Sequence, residues 1–175
     1  MNFRRKNIRL PYACYIGSQW YFLTNCTLDR IPRFQDGRLV AEVLDFVIQE
    51  SQTKGVEIQA YCFMPDHLHL LTNGTHAAAD CLAFNKTFKQ RSGFAFKQRI
   101  RRPLWQDRPY DHILRPDENW EAVAYYIWMN PVRKGLCTRP EDWPFSGSMT
   151  VDWKRLLTPP RNPWVPPGKG GSADL

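Results

Sequence analysis

Runs of apolar residues predict four β-strands along the chain. The segment from Trp20 to Thr27 is rich in aromatic and β-branched residues, which favour strands. Val56 to Met64 and His67 to Thr72 form two further runs. Because Pro65-Asp66 between them has the composition of a tight turn, these two strands are predicted to form a hairpin. A short fourth strand is predicted from Tyr110 to Leu114.

Apolar residues at helical spacing predict helices between these strands. From Gly37 to Thr53 they recur near the spacing of a helix, and Gly55 is a suitable end for it. A second helix is predicted from Ala77 to about Gln98, with a potential break at Ser92-Gly93, where two small residues adjoin. Both helices lie between predicted strands, so they can cover a sheet.

A third helix is predicted later in the chain, capped by Asp117 and stopped at Asn130 by Pro131. The order of elements is then β-α-β-β-α-β plus one helix, which is typical of the ferredoxin-like split βαβ fold. The predicted fold class is α+β, a ferredoxin-like antiparallel sheet with an additional C-terminal helix. Residues 1–157 are predicted to form a single domain, and residues 158–175, where Pro and Gly dominate, an extended tail.

The composition is that of a folded protein without a membrane partner. The chain has 175 residues, 43% of them hydrophobic and 23% charged, which are globular values. No apolar run approaches the roughly 20 residues of a membrane helix, and no apolar stretch follows the basic start as in a signal peptide. The five cysteines are widely spaced, unlike those of a zinc knuckle. We therefore expect a cytoplasmic protein with reduced thiols.

The distribution of positive charge indicates a candidate nucleic-acid-binding protein. The net charge is +7, and no acidic residue lies between Leu82 and Gln106. The basic residues of this stretch are Lys86, Lys89, Arg91, Lys97, Arg99, Arg101 and Arg102. The phenylalanines among them are Phe84, Phe88, Phe94 and Phe96. Such a surface binds phosphate through counterion release, and exposed aromatic rings stack on unpaired bases.

A solvated helix face over a Phe-rich core is the alternative explanation for this stretch. It accounts for most of the phenylalanines but not for the lack of acidic residues, so the charge favours a nucleic-acid partner. The N-terminal residues Arg4, Arg5 and Lys6 form a second candidate DNA contact.

Two histidines on one predicted strand form a candidate metal site. In His67-Leu68-His69 the histidines lie on one face of the strand and Leu68 on the other, because strand side chains alternate. Two imidazoles one strand step apart can bind the same ion. Short His-x-His strings also arise by chance, and two solvated histidines at a strand end remain the alternative.

The third helix carries a candidate nucleophile. Tyr126 and Asn130 are four residues apart, so one helix face offers a phenol and an amide oxygen together. Tyrosines on amphipathic helices usually serve packing, and an Asn before Pro often only marks a helix end. Of the two adjacent tyrosines, Tyr125 is interpreted as the packing residue.

These segments together resemble the HUH single-tyrosine transposases, and within them the REP-associated tyrosine transposases. The resemblance extends from about Tyr15 to Gly147. It rests on Met64-Pro65-Asp66-His67-Leu68-His69, Leu104-Trp105-Gln106, Tyr110-Asp111-His112-Ile113-Leu114-Arg115, Tyr126-Ile127-Trp128-Met129-Asn130-Pro131-Val132-Arg133-Lys134-Gly135-Leu136 and Asp142-Trp143-Pro144-Phe145-Ser146. The histidine string is unspecific, whereas the Tyr-Ile-x-x-Asn-Pro-Val-x-x-Gly-Leu string is highly specific.

The resemblance implies a role for each of these residues. His67 and His69 match the metal-ligand histidines, Asn130 a third ligand and Tyr126 the nucleophile. The family cuts palindromic DNA as single strands beside a folded hairpin, through a 5′-phosphotyrosine and a free 3′-hydroxyl that allow rejoining. It works with Mg²⁺ or Mn²⁺, of which imidazole ligands suit manganese better. We expect a metal-dependent endonuclease and strand transferase for single-stranded or hairpin DNA, as a monomer or homodimer.

Several residues near this site have more than one interpretation. Arg133 and Lys134 follow the catalytic helix as candidate phosphate contacts, with solvated surface charge as the alternative. Asp66 and Asp111 are further candidates, and His112 is either a buried structural histidine or an active-site one. The main alternative function is a non-catalytic nucleic-acid-binding module on the same sheet. A hydrolytic metallonuclease, which forms no protein adduct, is a third.

Overall fold

The computed structural model describes residues 11–167. Its strands are β1 Trp20–Cys26, β2 Val56–Met64, β3 His67–Gly74, β4 Tyr110–Ile113 and β5 Ser146–Gly147. Its helices are α1 Gly37–Lys54, α2 Cys81–Ile100, α3 Trp120–Trp128 and α4 Asn130–Arg133. Short 3-10 turns lie at Tyr12–Tyr15, Leu28–Arg30, Arg33–Gln35, Pro140–Asp142 and Trp153–Leu156.

The strands form one antiparallel sheet in the order β4-β1-β3-β2-β5. The predicted α+β class with a ferredoxin-like sheet is therefore confirmed. The fifth strand was not predicted, because Ser146–Gly147 is too short to carry an alternating pattern. It pairs with Tyr61 and Cys62 and extends the sheet beyond β2.

Each face of the sheet has its own hydrophobic core. On one face Tyr21, Leu68 and Leu70 pack with α1 and α2. On the other, Phe22 and Leu71 pack with α3. Because strand residues alternate between faces, β3 directs Leu68 and Leu70 towards α1 and α2, and its two histidines and Leu71 towards the α3 side.

The helix α2 begins after Asp80, which caps it, and continues without a break to Ile100. The predicted break at Ser92-Gly93 is wrong. The Ser92 hydroxyl donates to the Phe88 carbonyl at 2.7 Å and accepts from the Trp105 indole at 3.0 Å. A Cβ at Gly93 would lie 3.4 Å from the Trp105 ring. The two small residues therefore make room for an indole and leave the helix intact.

The helix α3 is capped by Asn119, whose side chain accepts from the Glu121 N–H at 2.8 Å, so the predicted cap at Asp117 is wrong. Asn130 was predicted to end this helix, but it is the first residue of α4. Pro131 is tolerated there because a proline in the first turn of a helix loses no hydrogen bond. Within residues 11–167, no helix is both long and apolar enough to cross a membrane.

Residues 158–167 follow the folded elements without forming a helix or a strand. This segment packs against the α3 side of the sheet, where Trp164 contacts Phe22 and Tyr126. The Tyr110 hydroxyl donates to the Pro167 carbonyl at 2.8 Å. The division into a domain of residues 1–157 and a tail stays a prediction.

Candidate active site

The two histidines of β3 meet at a single point. The Nε2 atoms of His67 and His69 are 3.0 Å apart. Their other ring nitrogens are occupied, since Nδ1 of His67 lies 2.5 Å from Asp66 and Nδ1 of His69 lies 2.9 Å from the Thr24 hydroxyl. In the tautomers that donate from Nδ1, both Nε2 lone pairs face the same point. This is the arrangement of a carboxylate or hydroxyl behind a metal-binding histidine.

Asp66 is held in turn by Arg30. The guanidinium lies 3.3 Å from the Asp66 carboxylate and 3.5 Å from Nδ1 of His67. The hydrogen bond from His67, helped by Arg30, lowers the pKa of Asp66 below its ordinary value. Asp66 therefore remains an acceptor that fixes the His67 ring. Asp29 and Arg30 both adopt left-handed φ of 55°, a conformation that costs energy in non-glycine residues and is found near functional sites.

The donor set fits a divalent ion that completes its shell with oxygen ligands. His69 is 2% exposed, whereas 16% of the His67 side chain is exposed, so the pair opens to solvent on the His67 side. In the part of the chain that the structure describes, His, Cys, Asp and Glu side chains form no cluster of three around one point. Two imidazoles then leave most of a coordination shell for phosphate, water or an amide oxygen.

Asn130 lies against Tyr126 in this structure. Its side-chain nitrogen donates to the Tyr126 carbonyl at 3.2 Å, and the residue is buried. The amide oxygen is the atom that would bind a metal, and its role as a third ligand stays a prediction.

Tyr126 lies beside the histidine pair within the same chain. Its ring makes edge contacts with His69, Phe22 and Trp164 at centroid distances of 6.3, 6.1 and 5.3 Å. Burial raises the pKa of Tyr126 above its ordinary value, and the nearby Arg133 opposes that shift. The phenol is thus protonated at neutral pH, so its use as a nucleophile requires loss of the proton during the reaction.

A small cavity adjoins Tyr126. It has a volume of about 120 Å³ and lies between α3 and the segment 158–167. Tyr125, Tyr126, Arg133 and Trp164 are among the residues that line it. Tyr125, interpreted from sequence as a packing residue, therefore lies at the same cavity as Tyr126.

His112 contacts a carboxylate away from the other histidines. Its Nε2 lies 2.7 Å from Glu118, which also accepts from the Trp164 indole at 2.7 Å. Burial raises the pKa of Glu118, but hydrogen bonds from the Arg115 N–H, Trp164 and His112 lower it overall. Glu118 therefore stays charged and anchors Trp164 beside Tyr126.

Half of the predicted DNA-binding residues of α2 are paired with other groups of the protein. Lys89 donates to the Gln106 carbonyl at 2.8 Å, and Arg99 pairs with Glu42 of α1 at 2.5 Å. Glu42 of α1 thus contacts the stretch from Leu82 to Gln106, which has no acidic residue of its own. Of the four phenylalanines, only Phe94 is exposed, at 66%.

The remaining predicted DNA contacts of this region are exposed. They are Lys86, Lys97, Arg101 and Arg102. Arg133 and Lys134 are also exposed, and the guanidinium carbon of Arg133 lies 4.1 Å from the centre of the Tyr126 ring. Arg4, Arg5 and Lys6 lie outside the described residues.

Sequence patterns missed several members of this site. Thr24, Arg30 and Trp164 reach it from β1, from the turn after β1 and from the C-terminal segment. Nothing in their local sequence marks them. Asp66 carried the one available signal, its place directly before His67 in the turn.

Comparison with known proteins identifies the family. Residues 16–128 match the family model described as Transposase IS200 like. The REP-associated tyrosine transposase of Escherichia coli K12 is 25% identical over 81% of this chain and 88% of the relative. A Haemophilus influenzae protein provisionally named REP-associated tyrosine transposase is 30% identical over 89% of each.

A solved structure shows the same fold. It is that of a REP-associated tyrosine transposase bound to a REP hairpin, with a TM-score of 0.72, 23% identity and 88% of each chain covered. The chain therefore belongs to the IS200-like transposase family, among the REP-associated tyrosine transposases.

Proposed function

We propose that this protein is a metal-dependent endonuclease and strand transferase that cuts single-stranded or hairpin DNA with Tyr126 as nucleophile. The observation that carries the proposal is the meeting of Tyr126 with the His67–His69 pair on one face of the sheet. Membership in a transposase family supports strand cleavage and transfer. These three side chains belong to one chain, so one copy of the protein holds the proposed nucleophile and both histidines.

Cleavage and rejoining can both proceed without an external energy source. The Tyr126 oxygen forms a bond to the scissile phosphorus and the bond from phosphorus to the 3′-oxygen breaks. The phenol proton passes to water and the departing 3′-oxygen takes up a proton. A 5′-phosphotyrosine and a free 3′-hydroxyl result, and attack by a 3′-hydroxyl in reverse rejoins the strands. Since burial keeps the phenol protonated, proton loss is part of the cleavage step.

His67, His69 and Asn130 are the residues that would hold a divalent metal, Mg²⁺ or Mn²⁺. When bound, such an ion supplies positive charge to a non-bridging oxygen of the scissile phosphate. Asp66 and Thr24 fix the two imidazole rings from behind, so that the lone pairs are oriented before substrate arrives.

Asp66→Asn should weaken metal binding about 10- to 100-fold, the usual cost of losing a partner behind a metal ligand. The asparagine oxygen can still accept a hydrogen bond from His67, but it lacks the charge that orders the imidazole ring. Titration of the protein alone with Mn²⁺, followed by electron paramagnetic resonance, measures the affinity. Asp45→Asn, on the exposed side of α1, is the control. Equal affinity in wild type and Asp66→Asn would remove Asp66 from the metal site.

The substrate we propose is a DNA hairpin with single-stranded flanks. The structural relative is bound to a REP hairpin, which supports this class of DNA. Lys86, Lys97, Arg101 and Arg102 present charge for its backbone, and Phe94 presents a ring for an unpaired base. We assign Arg4, Arg5, Lys6 and Lys134 to DNA contact on charge alone, and Lys89 and Arg99 only in addition to the internal contacts described above.

Neutralising the exposed strip should weaken every DNA alike. With Lys86, Lys97 and Arg101 changed to Gln, the slope of log affinity against log salt should become shallower by about 2, at roughly 0.7 per lost contact. Binding isotherms at several salt concentrations, for a hairpin and an unrelated single strand, measure it. A protein with Arg38, Arg108 and Lys154 changed to Gln loses the same charge elsewhere. An equal effect in that control would show that only net charge matters.

The proposed activity is tested by covalent capture. The probe is a pool of 3′-end-labelled hairpin oligonucleotides with randomised stems and flanks, incubated with Mn²⁺. A labelled band at the mass of the protein, resistant to denaturation, is the expected result. Release of cut DNA without that band would indicate a hydrolytic nuclease, and binding without any cutting would indicate a DNA-binding module.

A further inference from the structure

One arginine makes two contacts with the proposed nucleophile. Arg133 lies in α4, seven residues after Tyr126. Its Nη2 donates to the Tyr126 carbonyl at 2.7 Å, and its guanidinium carbon lies 4.1 Å from the centre of the Tyr126 ring. The carbonyl belongs to the last turn of α3, where helices leave acceptors for side chains to satisfy. A single side chain thus holds both the backbone and the ring of Tyr126.

Other groups restrict the same ring from different directions. Phe22 and Trp164 meet it edge to face at interplanar angles of 74° and 77°, and His69 does so at 66°. These contacts are apolar or come from the metal-binding side. The guanidinium is a cation over the ring, where a planar arginine can stack on the ring face and a lysine offers only a point charge.

We propose that Arg133 is a positioning residue that holds the Tyr126 ring in the orientation needed for attack on the scissile phosphate. The inference rests on the proposed role of Tyr126 as nucleophile. It differs from a backbone contact with DNA, which the sequence alone suggested for Arg133. Arg139, six residues further along the chain, is also exposed and carries the same charge, so its variant controls for the loss of charge alone.

The expected effect is on the rate of cleavage and not on affinity. Without Arg133 the ring samples other orientations, and small misplacement of reacting groups lowers rates by about 10- to 100-fold. Arg133→Gln should show a loss of this size with the half-saturating protein concentration within two-fold of wild type. Arg133→Lys keeps the charge but not the planar stack, so it should show a similar loss. Arg139→Gln should cleave at the wild-type rate.

Two measurements test whether Arg133 positions the Tyr126 ring. Single-turnover cleavage of the hairpin recovered from the pool, with protein in excess, separates the rate of chemistry from half-saturation. Fluorine NMR of protein labelled with 3-fluorotyrosine observes the ring directly, and the resonance missing from Tyr126→Phe belongs to Tyr126. That resonance should move in both Arg133 variants and stay in place in Arg139→Gln.

Each alternative outcome is distinct. A weaker half-saturation and a shallower salt dependence at an unchanged rate would make Arg133 a phosphate contact. Full rescue by Arg133→Lys would show that charge alone matters, and a moved resonance with an unchanged rate would show a contact without a catalytic consequence; each overturns the inference. If wild-type protein forms no adduct, the proposed function fails first, and the fluorine spectrum still reports whether Arg133 orders the ring.

Discussion

Tyr126→Phe will abolish the covalent protein–DNA adduct while leaving DNA affinity within a few-fold of wild type. The phenol oxygen is the one atom that the cleavage step needs from this side chain. A phenylalanine ring keeps the contacts with Phe22, Trp164 and Arg133, so the surroundings of the site should persist. The rate should fall by about 10⁴-fold or more, the scale seen when enzymes lose a nucleophile. A denaturing gel detects the adduct and a mobility shift measures affinity.

Tyr125→Phe is the matched control for this prediction. Both tyrosines line the same small cavity, and the two variants each remove one hydroxyl from adjacent residues. Adduct formation should persist in Tyr125→Phe. The reverse result, an adduct in Tyr126→Phe and none in Tyr125→Phe, would move the nucleophile by one residue.

Removal of either histidine is expected to have the second largest effect. His67→Ala and His69→Ala each delete one of the two Nε2 atoms that face each other at 3.0 Å. Cleavage should fall by about 10³-fold or more, equivalent to several kcal/mol of transition-state stabilisation. Chelation of the wild type with EDTA should do the same reversibly. Asn130→Ala should be milder, because phosphate and water can fill part of the shell.

Mn²⁺ affinity, measured without DNA, separates loss of the metal from loss of the substrate. His76→Ala is the control, since this exposed histidine accepts from the Ala78 N–H at 3.2 Å outside the site. It should bind metal and cleave like wild type. Full activity of wild type in excess EDTA would contradict the assignment of a metal site to His67 and His69.

Period-two and period-3.6 patterns account for the parts of this molecule that were predictable. Alternation along β3 places His67 and His69 on one face and Leu68 on the other. The four-residue spacing predicts that Tyr126 and Asn130 are neighbours. In the structure a hydrogen bond from the Asn130 side chain to the Tyr126 carbonyl joins them. Such patterns work because they follow from backbone geometry within one element.

These patterns could not predict contacts between elements that are far apart in the sequence. Thr24 reaches His69 because β1 pairs with β3 in a register that sets these residues opposite each other. Trp164 reaches Tyr126 because Glu118 anchors its indole. The predicted helix break at Ser92-Gly93 failed for the same reason, since the partner that explains both small residues is Trp105. In each case the deciding atom belongs to another part of the fold.

The placement of α2 and α3 on opposite faces of one sheet sets a minimum length for the DNA. A helix is about 10–12 Å across with its side chains, and a packed sheet layer adds roughly 10 Å. The exposed side of α2 is thus separated from Tyr126 by about 20 Å, or roughly six base steps of a hairpin stem at about 3.4 Å each. The nucleotides proposed to contact α2 are therefore distinct from those proposed to be cut at Tyr126. Oligonucleotides too short to pass around the sheet edge should therefore be insensitive to the charges of α2.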